Sequence, residues 1–102
     1  ILLATIYDPS DRTAHIPGVL EEAGALPLQI LDGMNARIRE LAAGTPNTAL
    51  ADVHARFLGH GASMPEEDRW YWRRSLIEPN VTGANEIRRL WRDVLDEVEG
   101  GE

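Results

Sequence analysis

The chain of 102 residues contains no cysteine and no lysine, and both absences limit its chemistry. Without cysteine it has no disulfide, no thiolate nucleophile and no cysteine-bound metal, although this leaves the redox compartment open. All ten basic residues are arginine, which we interpret as a compositional bias of the source. The formal net charge of −7 argues against a nucleic-acid partner or an anionic membrane surface.

Long apolar runs are also missing, since none approaches the roughly 20 residues of a membrane span. The composition, 43% hydrophobic and 26% charged, is typical of a globular domain and not of a disordered chain. We find no repeat and no linker, so residues 1–102 are treated as one unit. Because Ile1 opens directly into a predicted strand, we expect a cut or processed piece of a longer polypeptide. An upstream signal peptide could not be seen, and the localisation stays undetermined.

The order of predicted elements indicates a parallel α/β fold. Residues 1–7 form a near-continuous apolar run, which predicts a strand buried on both faces. Pro27 suits the first turn of a helix over 28–43, and residues 48–53 read as a second strand. Strand, helix and strand in this order favour parallel pairing with a crossover helix. A short helix is expected over 19–23.

The last predicted helix follows a polar loop of fixed shape. Its apolar positions repeat every three or four residues, as in an amphipathic helix on a core; they are Ile87, Leu90, Trp91, Val94, Leu95 and Val98. Pro79 cannot lie inside that helix, whereas Asn80 or Thr82 can cap its first turn. In open α/β proteins such loops often carry the chemistry. The segment 54–61 is expected to be a loop.

Residues 75–84 resemble the last conserved block of the SGNH/GDSL hydrolases, which reads Asp-x-x-His-Pro, then Asn or Thr, then a glycine opening the final helix. Pro79, Asn80 and Gly83 fit this frame, while Ser75 stands at the position of the Asp and Glu78 at that of the catalytic His. Weaker similarities, such as a strand ending in Tyr-Asp-Pro, extend over nearly the whole chain.

The resemblance implies that residues 1–102 are the carboxyl-terminal part of one SGNH-like domain, a partial three-layer αβα, flavodoxin-like parallel sheet. It also implies hydrolysis of an ester, an O-acetylated sugar or a lipid by a serine nucleophile, with no cofactor. The substrate of the full-length protein would be a small ester or acylated sugar.

The family's nucleophile block, Gly-Asp-Ser, is absent from this chain, and so are its oxyanion donors. The three serines, Ser10, Ser63 and Ser75, lack a nucleophile context. We therefore expect this chain alone to be inactive. One alternative is a non-catalytic relative whose loop binds a ligand or partner, and another is an unrelated small βαβα binding domain. An upstream Gly-Asp-Ser block with a histidine able to reach it would favour the enzyme.

The sequence leaves the identity of the general base undecided, because Glu78 stands where the family has its histidine. An ordinary Glu has a pKa of about 4.3, against about 6.5 for His, so it is weaker by roughly 3 kcal/mol of proton affinity. Glu78 could instead be a negative charge that suits the helix dipole. His54 and His60 follow the second strand and are alternative bases; with Asp52 they could also bind zinc. Structural roles for both histidines are the plainer interpretation.

An aromatic cluster, Trp70-Tyr71-Trp72, precedes the loop. Trp70 and Trp72, with Asn80, could line a pocket for an acyl chain or a sugar. The cluster could equally cover the end of the sheet. Because two strands offer little cover for residues 1–7, the isolated chain is expected to be marginally stable or to self-associate.

Overall fold

The computed structural model describes residues 1–16, 26–72 and 75–100. Its elements, in chain order, are β1 (Leu2–Ala4), α1 (Leu28–Gly44), β2 (Ala49–Ala51), α2 (Val53–Phe57), β3 (Tyr71–Trp72), β4 (Ser75–Pro79) and α3 (Val81–Gly100). The short helix expected over 19–23 lies outside the described residues.

Strands β1 and β2 pair in parallel, with Leu2 opposite Ala49 and Ala4 opposite Ala51. Helix α1 connects them and contacts both strands. One further backbone bond, from the Thr5 amide to the Ala51 carbonyl (3.1 Å), continues the ladder. This confirms the predicted parallel strands and the crossover helix between them.

Strand β1 is shorter than the predicted strand over 1–7, because side chains take over its backbone bonds. The Asn35 amide of α1 accepts a bond from the Ile6 N–H (2.7 Å) and donates to the Ile6 carbonyl (3.0 Å). The Thr5 hydroxyl donates to Asp52 (2.7 Å). Burial on both faces was also wrong, since Leu2–Ala4 are only partly buried.

Two short elements differ from the prediction. Residues expected to be loop form α2, whose first turn is capped by Asp52 accepting from the Ala55 N–H (3.3 Å). Strands β3 and β4 form an antiparallel hairpin that the sequence pattern did not predict. Helix α3 begins at Val81, so Gly83 lies in its first turn instead of before it.

The core is aromatic and lies between α2, the hairpin and α3. Val53, Phe57 and Tyr71 are buried, with Trp70 and other partly buried side chains packed around them. The rings of Tyr7 and Phe57 stack with centroids 5.5 Å apart, and Trp70 meets Phe57 edge-on at 5.1 Å. Each such pair adds about 0.5–1.5 kcal/mol beyond the area it buries.

The fold is therefore mixed α/β with a short parallel sheet, which confirms the predicted α/β class and the parallel pairing. The described residues contain two separate two-stranded sheets, and no larger flavodoxin-like sheet is seen among them. Within the described ranges, no helix combines the length and apolar character needed to cross a bilayer.

Candidate functional site

A cleft of about 490 Å³ lies where the β3–β4 hairpin meets the first turn of α3. We call it the α3 cleft; it is lined by Trp72, Glu78, Pro79, Asn80, Val81 and Thr82. Three of the residues predicted to form a site, Trp72, Glu78 and Asn80, are thus brought together. Ser75 begins β4 and pairs with Trp72 across the hairpin.

Asn80 fixes the shape of the α3 cleft through its side-chain amide. Its Oδ1 accepts from the Gly83 N–H (2.8 Å), which caps the first turn of α3. Its Nδ2 donates to the carbonyls of Arg69 (2.8 Å) and Tyr71 (3.3 Å). Both amide hydrogens therefore bond to carbonyls at the hairpin, which makes Asn80 a positioning residue. A contact between Asn80 and a substrate stays a prediction.

Gly83 is required by the close approach of the hairpin to α3. A Cβ atom at Gly83 would overlap the Trp70 carbonyl oxygen and lie 3.2 Å from the Pro79 Cβ. The Asn80 N–H donates to that same Trp70 carbonyl (2.8 Å). Local packing thus accounts for Asn80 and Gly83 in the Pro-Asn-x-x-Gly frame.

Glu78 and Trp72 supply the exposed chemistry of the cleft. Trp72 is 53% exposed, and Glu78 is also exposed. Burial, and then the charge of Glu78, raise the pKa of Tyr7, whose hydroxyl donates to the Ile77 carbonyl (3.1 Å). A carboxylate and an indole that line one cleft can hold a hydroxyl-rich or cationic group.

His54 lies in α2 and is buried. Its backbone N–H donates to the Thr5 hydroxyl (2.9 Å), and its ring Nδ1 lies 3.0 Å from the Ile6 carbonyl oxygen. Because a carbonyl only accepts, the neutral ring carries its proton on Nδ1 and its lone pair on Nε2. His54 does not line the α3 cleft.

His60 is held in a similar way by different partners. Its Nδ1 lies 2.8 Å from the Asp68 carbonyl oxygen, so the same tautomer follows. Its ring stacks on Trp70 with centroids 3.6 Å apart and planes 4° from parallel. Trp70 is therefore tied to His60 and the core, and neither residue lines the α3 cleft.

Asp52 is committed to hydrogen bonds inside the protein. It accepts from the Thr5 hydroxyl (2.7 Å) and from Arg39 (3.2 Å). Burial, the largest single influence, raises the pKa of Asp52, but these bonds together outweigh it and hold the pKa below its ordinary value. In the described part of the chain no three His, Asp or Glu side chains gather as a metal site would need.

The loop after β1 is a polar structure held together by hydrogen bonds to carboxylates. Asp8 is fully buried, and its carboxylate accepts from the Ser10 N–H (2.9 Å), the Ser10 hydroxyl (2.6 Å) and the Arg12 N–H (2.9 Å). Arg12 is held at φ 71° and also bonds Asp32. The run Asp-Pro-Ser-Asp was the available signal, because these residues favour such bonds.

The same loop is fastened to the segment after α2 through Asp11. One carboxylate oxygen accepts from the Gly59 N–H (3.0 Å) and the other from the Gly61 N–H (2.8 Å). Asp11 itself has φ 52°, a left-handed conformation that residues other than glycine seldom adopt. These bonds hold the carboxyl end of β1, the edge at which α/β proteins bind ligands.

A second cavity, of about 310 Å³, has an apolar and aromatic lining and was not predicted. We call it the β4 groove; it includes Ile6, Tyr7, Ile30, Met34 and Ile77. Ile77 and Glu78 are consecutive in β4, so their side chains point to opposite faces of the strand. The β4 groove and the α3 cleft therefore flank the same strand.

No protein-family model, curated protein or solved structure matches this chain.

Proposed function

We propose that this chain is the carboxyl-terminal part of an SGNH/GDSL-like hydrolase domain, which cleaves an ester, an O-acetylated sugar or a lipid in the full-length protein. The observation that carries the proposal is the position of Glu78 and Pro79, at the end of β4, and of Asn80, which together line the α3 cleft. The parallel unit of β1, α1 and β2 behind it is compatible with the carboxyl-terminal half of such a sheet.

The α3 cleft suits one half of an ester. The α3 cleft would take the alcohol or sugar, with Trp72 against its ring and Glu78 accepting hydroxyl bonds. The serine nucleophile would come from a Gly-Asp-Ser block elsewhere in the full-length protein.

The base in this proposal is His54 or His60. Each ring offers its lone pair on Nε2, because Nδ1 is held by a backbone carbonyl. A carbonyl at Nδ1 takes the orienting role that a carboxylate has in a Ser-His-Asp triad. Glu78 would then shape the cleft and bind substrate.

The decisive experiment compares kcat of the full-length protein with its His54→Ala, His60→Ala and Glu78→Gln variants. Loss of the base should lower kcat by several orders of magnitude, while Glu78→Gln should cost about tenfold or less. His15→Ala, an exposed histidine, is the matched control. Near-wild-type rates for His54→Ala and His60→Ala, with collapse for Glu78→Gln, would make the carboxylate the base. The chain alone should not hydrolyse p-nitrophenyl acetate faster than free imidazole at matched histidine concentration.

A non-catalytic SGNH-like binding domain is the second candidate. It is favoured by Glu78, which stands at the base position as an exposed carboxylate without an orienting group in the described part of the chain. In that case the full-length protein would turn over no ester, yet Trp72→Ala would weaken binding of an acylated sugar. Trp91→Ala is the control, because Trp91 is similarly exposed but lies outside the α3 cleft.

A further inference from the structure

The start of α3 carries an acceptor sequence for N-linked glycosylation. The pattern is Asn-x-Ser/Thr, in which x is any residue except proline, and it occurs in this chain as Asn80-Val81-Thr82. An acceptor of this kind belongs on an accessible surface loop. Asn80, however, lies where the β3–β4 hairpin packs against α3. The sequence pattern and the fold therefore indicate different environments for the same side chain.

The atom of Asn80 that would react, Nδ2, uses both of its hydrogens in the folded chain. One is donated to the Arg69 carbonyl (2.8 Å) and the other to the Tyr71 carbonyl (3.3 Å). The backbone N–H of Asn80 donates to the carbonyl between these two, that of Trp70 (2.8 Å). Three consecutive carbonyls thus hold Asn80. Thr82 is exposed, so access to Nδ2 is what would limit modification.

The space beside Asn80 is also too small for a sugar ring. A Cβ atom at Gly83 would overlap the Trp70 carbonyl oxygen, so the first turn of α3 touches the hairpin there. A glycan is bulky and needs an open surface. We propose that Asn80 accepts an N-linked oligosaccharide only before the hairpin packs on α3, so that this packing and the modification exclude each other.

The transfer requires an oligosaccharide carried on a lipid pyrophosphate as the donor. Asn80 Nδ2 forms a bond to the anomeric carbon of the first sugar, and the bond from that carbon to the pyrophosphate oxygen breaks. The electron pair leaves with the pyrophosphate, and one Nδ2 hydrogen is released as a proton. The modified amide keeps a single hydrogen, so at most one of the Arg69 and Tyr71 carbonyls retains its bond. A chain that is modified first therefore cannot restore the junction.

A purified oligosaccharyltransferase, supplied with a lipid-linked oligosaccharide, tests the protection of Asn80. The folded chain should be modified at least about tenfold more slowly than a peptide of residues 76–86, because transfer to the chain waits for local opening. A gel shift that peptide-N-glycosidase reverses measures transfer, and Thr82→Ala, which removes the pattern, should show none. A peptide that takes no sugar would overturn the proposal. So would equal rates for peptide and chain at a temperature where circular dichroism shows the helices formed.

Two glycine variants test whether the junction itself gives the protection. Gly83→Ala cannot close the contact with Trp70 and should be modified about tenfold faster than the wild-type chain. Gly33→Ala is the matched control, since nothing lies within 4 Å of its Cβ position, and should match the wild-type rate. A Gly83→Ala chain that is modified as slowly as wild type would overturn the proposal.

The modified chain tests the exclusion in the other direction. Wild-type chain that has acquired the sugar during a long incubation should unfold at a lower urea concentration than unmodified chain. The control combines Thr82→Ala with Pro46→Asn, which creates the acceptor pattern in an exposed turn. A sugar at that position should leave the urea midpoint of this variant unchanged. An unchanged midpoint with the sugar on Asn80 would overturn the proposal.

Discussion

Gly61 lies where the loop after β1 meets the segment after α2, and its Cα has no room for a side chain. A Cβ atom there would lie 2.6 Å from the Asp11 carboxylate and 2.7 Å from the Pro9 carbonyl oxygen. The Gly61 N–H also donates to Asp11 (2.8 Å). Any side chain would therefore push apart two segments joined by hydrogen bonds.

Gly61→Ala should lower the free energy of unfolding by about 1–3 kcal/mol, because backbone atoms have to move. Gly33→Ala is the matched control: Gly33 lies in α1 with nothing within 4 Å of its Cβ position. That change should raise the free energy of unfolding by up to about 1 kcal/mol, through helix propensity. Urea unfolding of both variants measures the difference, and equal effects would contradict the packing argument.

Individual site residues could be predicted only where they are close in sequence. Trp72, Glu78 and Asn80 share a cleft because the hairpin and the start of α3 are consecutive. Asp8 and Asp11 were missed as site-shaping residues, since their roles depend on bonds that the sequence does not display. The Asp11 bond to Gly61, for example, spans 50 positions.

Helix α3 begins where the Asn80 side chain satisfies one of its unpaired N–H groups and ties two hairpin carbonyls to it. Asn80→Ala should lower the free energy of unfolding by about 1–3 kcal/mol, from the lost cap and the unpaired carbonyls. Asn80→Ser keeps a capping oxygen without placing a charge against the two carbonyls and should cost less. Thermal or urea unfolding compares the two; a Ser variant as unstable as the Ala variant would show that the cap contributes little.

The β1, α1 and β2 unit was predicted from the sequence, whereas α2 and the β3–β4 hairpin were not. The β1, α1 and β2 unit follows from an apolar run, a helix-starting proline and a second apolar run. Helix α2 has only 5 residues and depends on Asp52, while β3 has 2 and depends on its pairing with β4. Elements this short have no periodicity of their own, so tertiary contacts decide them.

Three carboxylates link the stability of the whole molecule to acid. The hydrogen bond from Arg12 lowers the pKa of Asp32, and that from Arg56 lowers the pKa of Glu86. The pKa of Asp52 is also lowered, despite the burial of its carboxylate. A carboxyl group whose pKa is lower in the folded state stabilises the fold when the pH is above its unfolded-state pKa, about 4. That stability is lost as the pH falls through the folded-state pKa.

The free energy of unfolding should therefore fall as the pH drops from about 5 to about 2. Asp52→Asn should flatten part of this slope, because the amide does not titrate. Urea unfolding at several pH values measures it, with Glu67→Gln, an exposed residue, as the control. Stability that rises on acidification would contradict the assignment of these three carboxylates.

The parallel pairing of β1 with β2 also has a consequence for synthesis on the ribosome. The Thr5–Asp52 bond beside this pair joins residues 47 positions apart. At roughly 5–20 residues per second, β1 is complete about 2–10 s before its partner strand is made. During that interval its apolar side chains lack the cover that β2 provides, whereas the hairpin and α3 emerge already beside their neighbours in the chain.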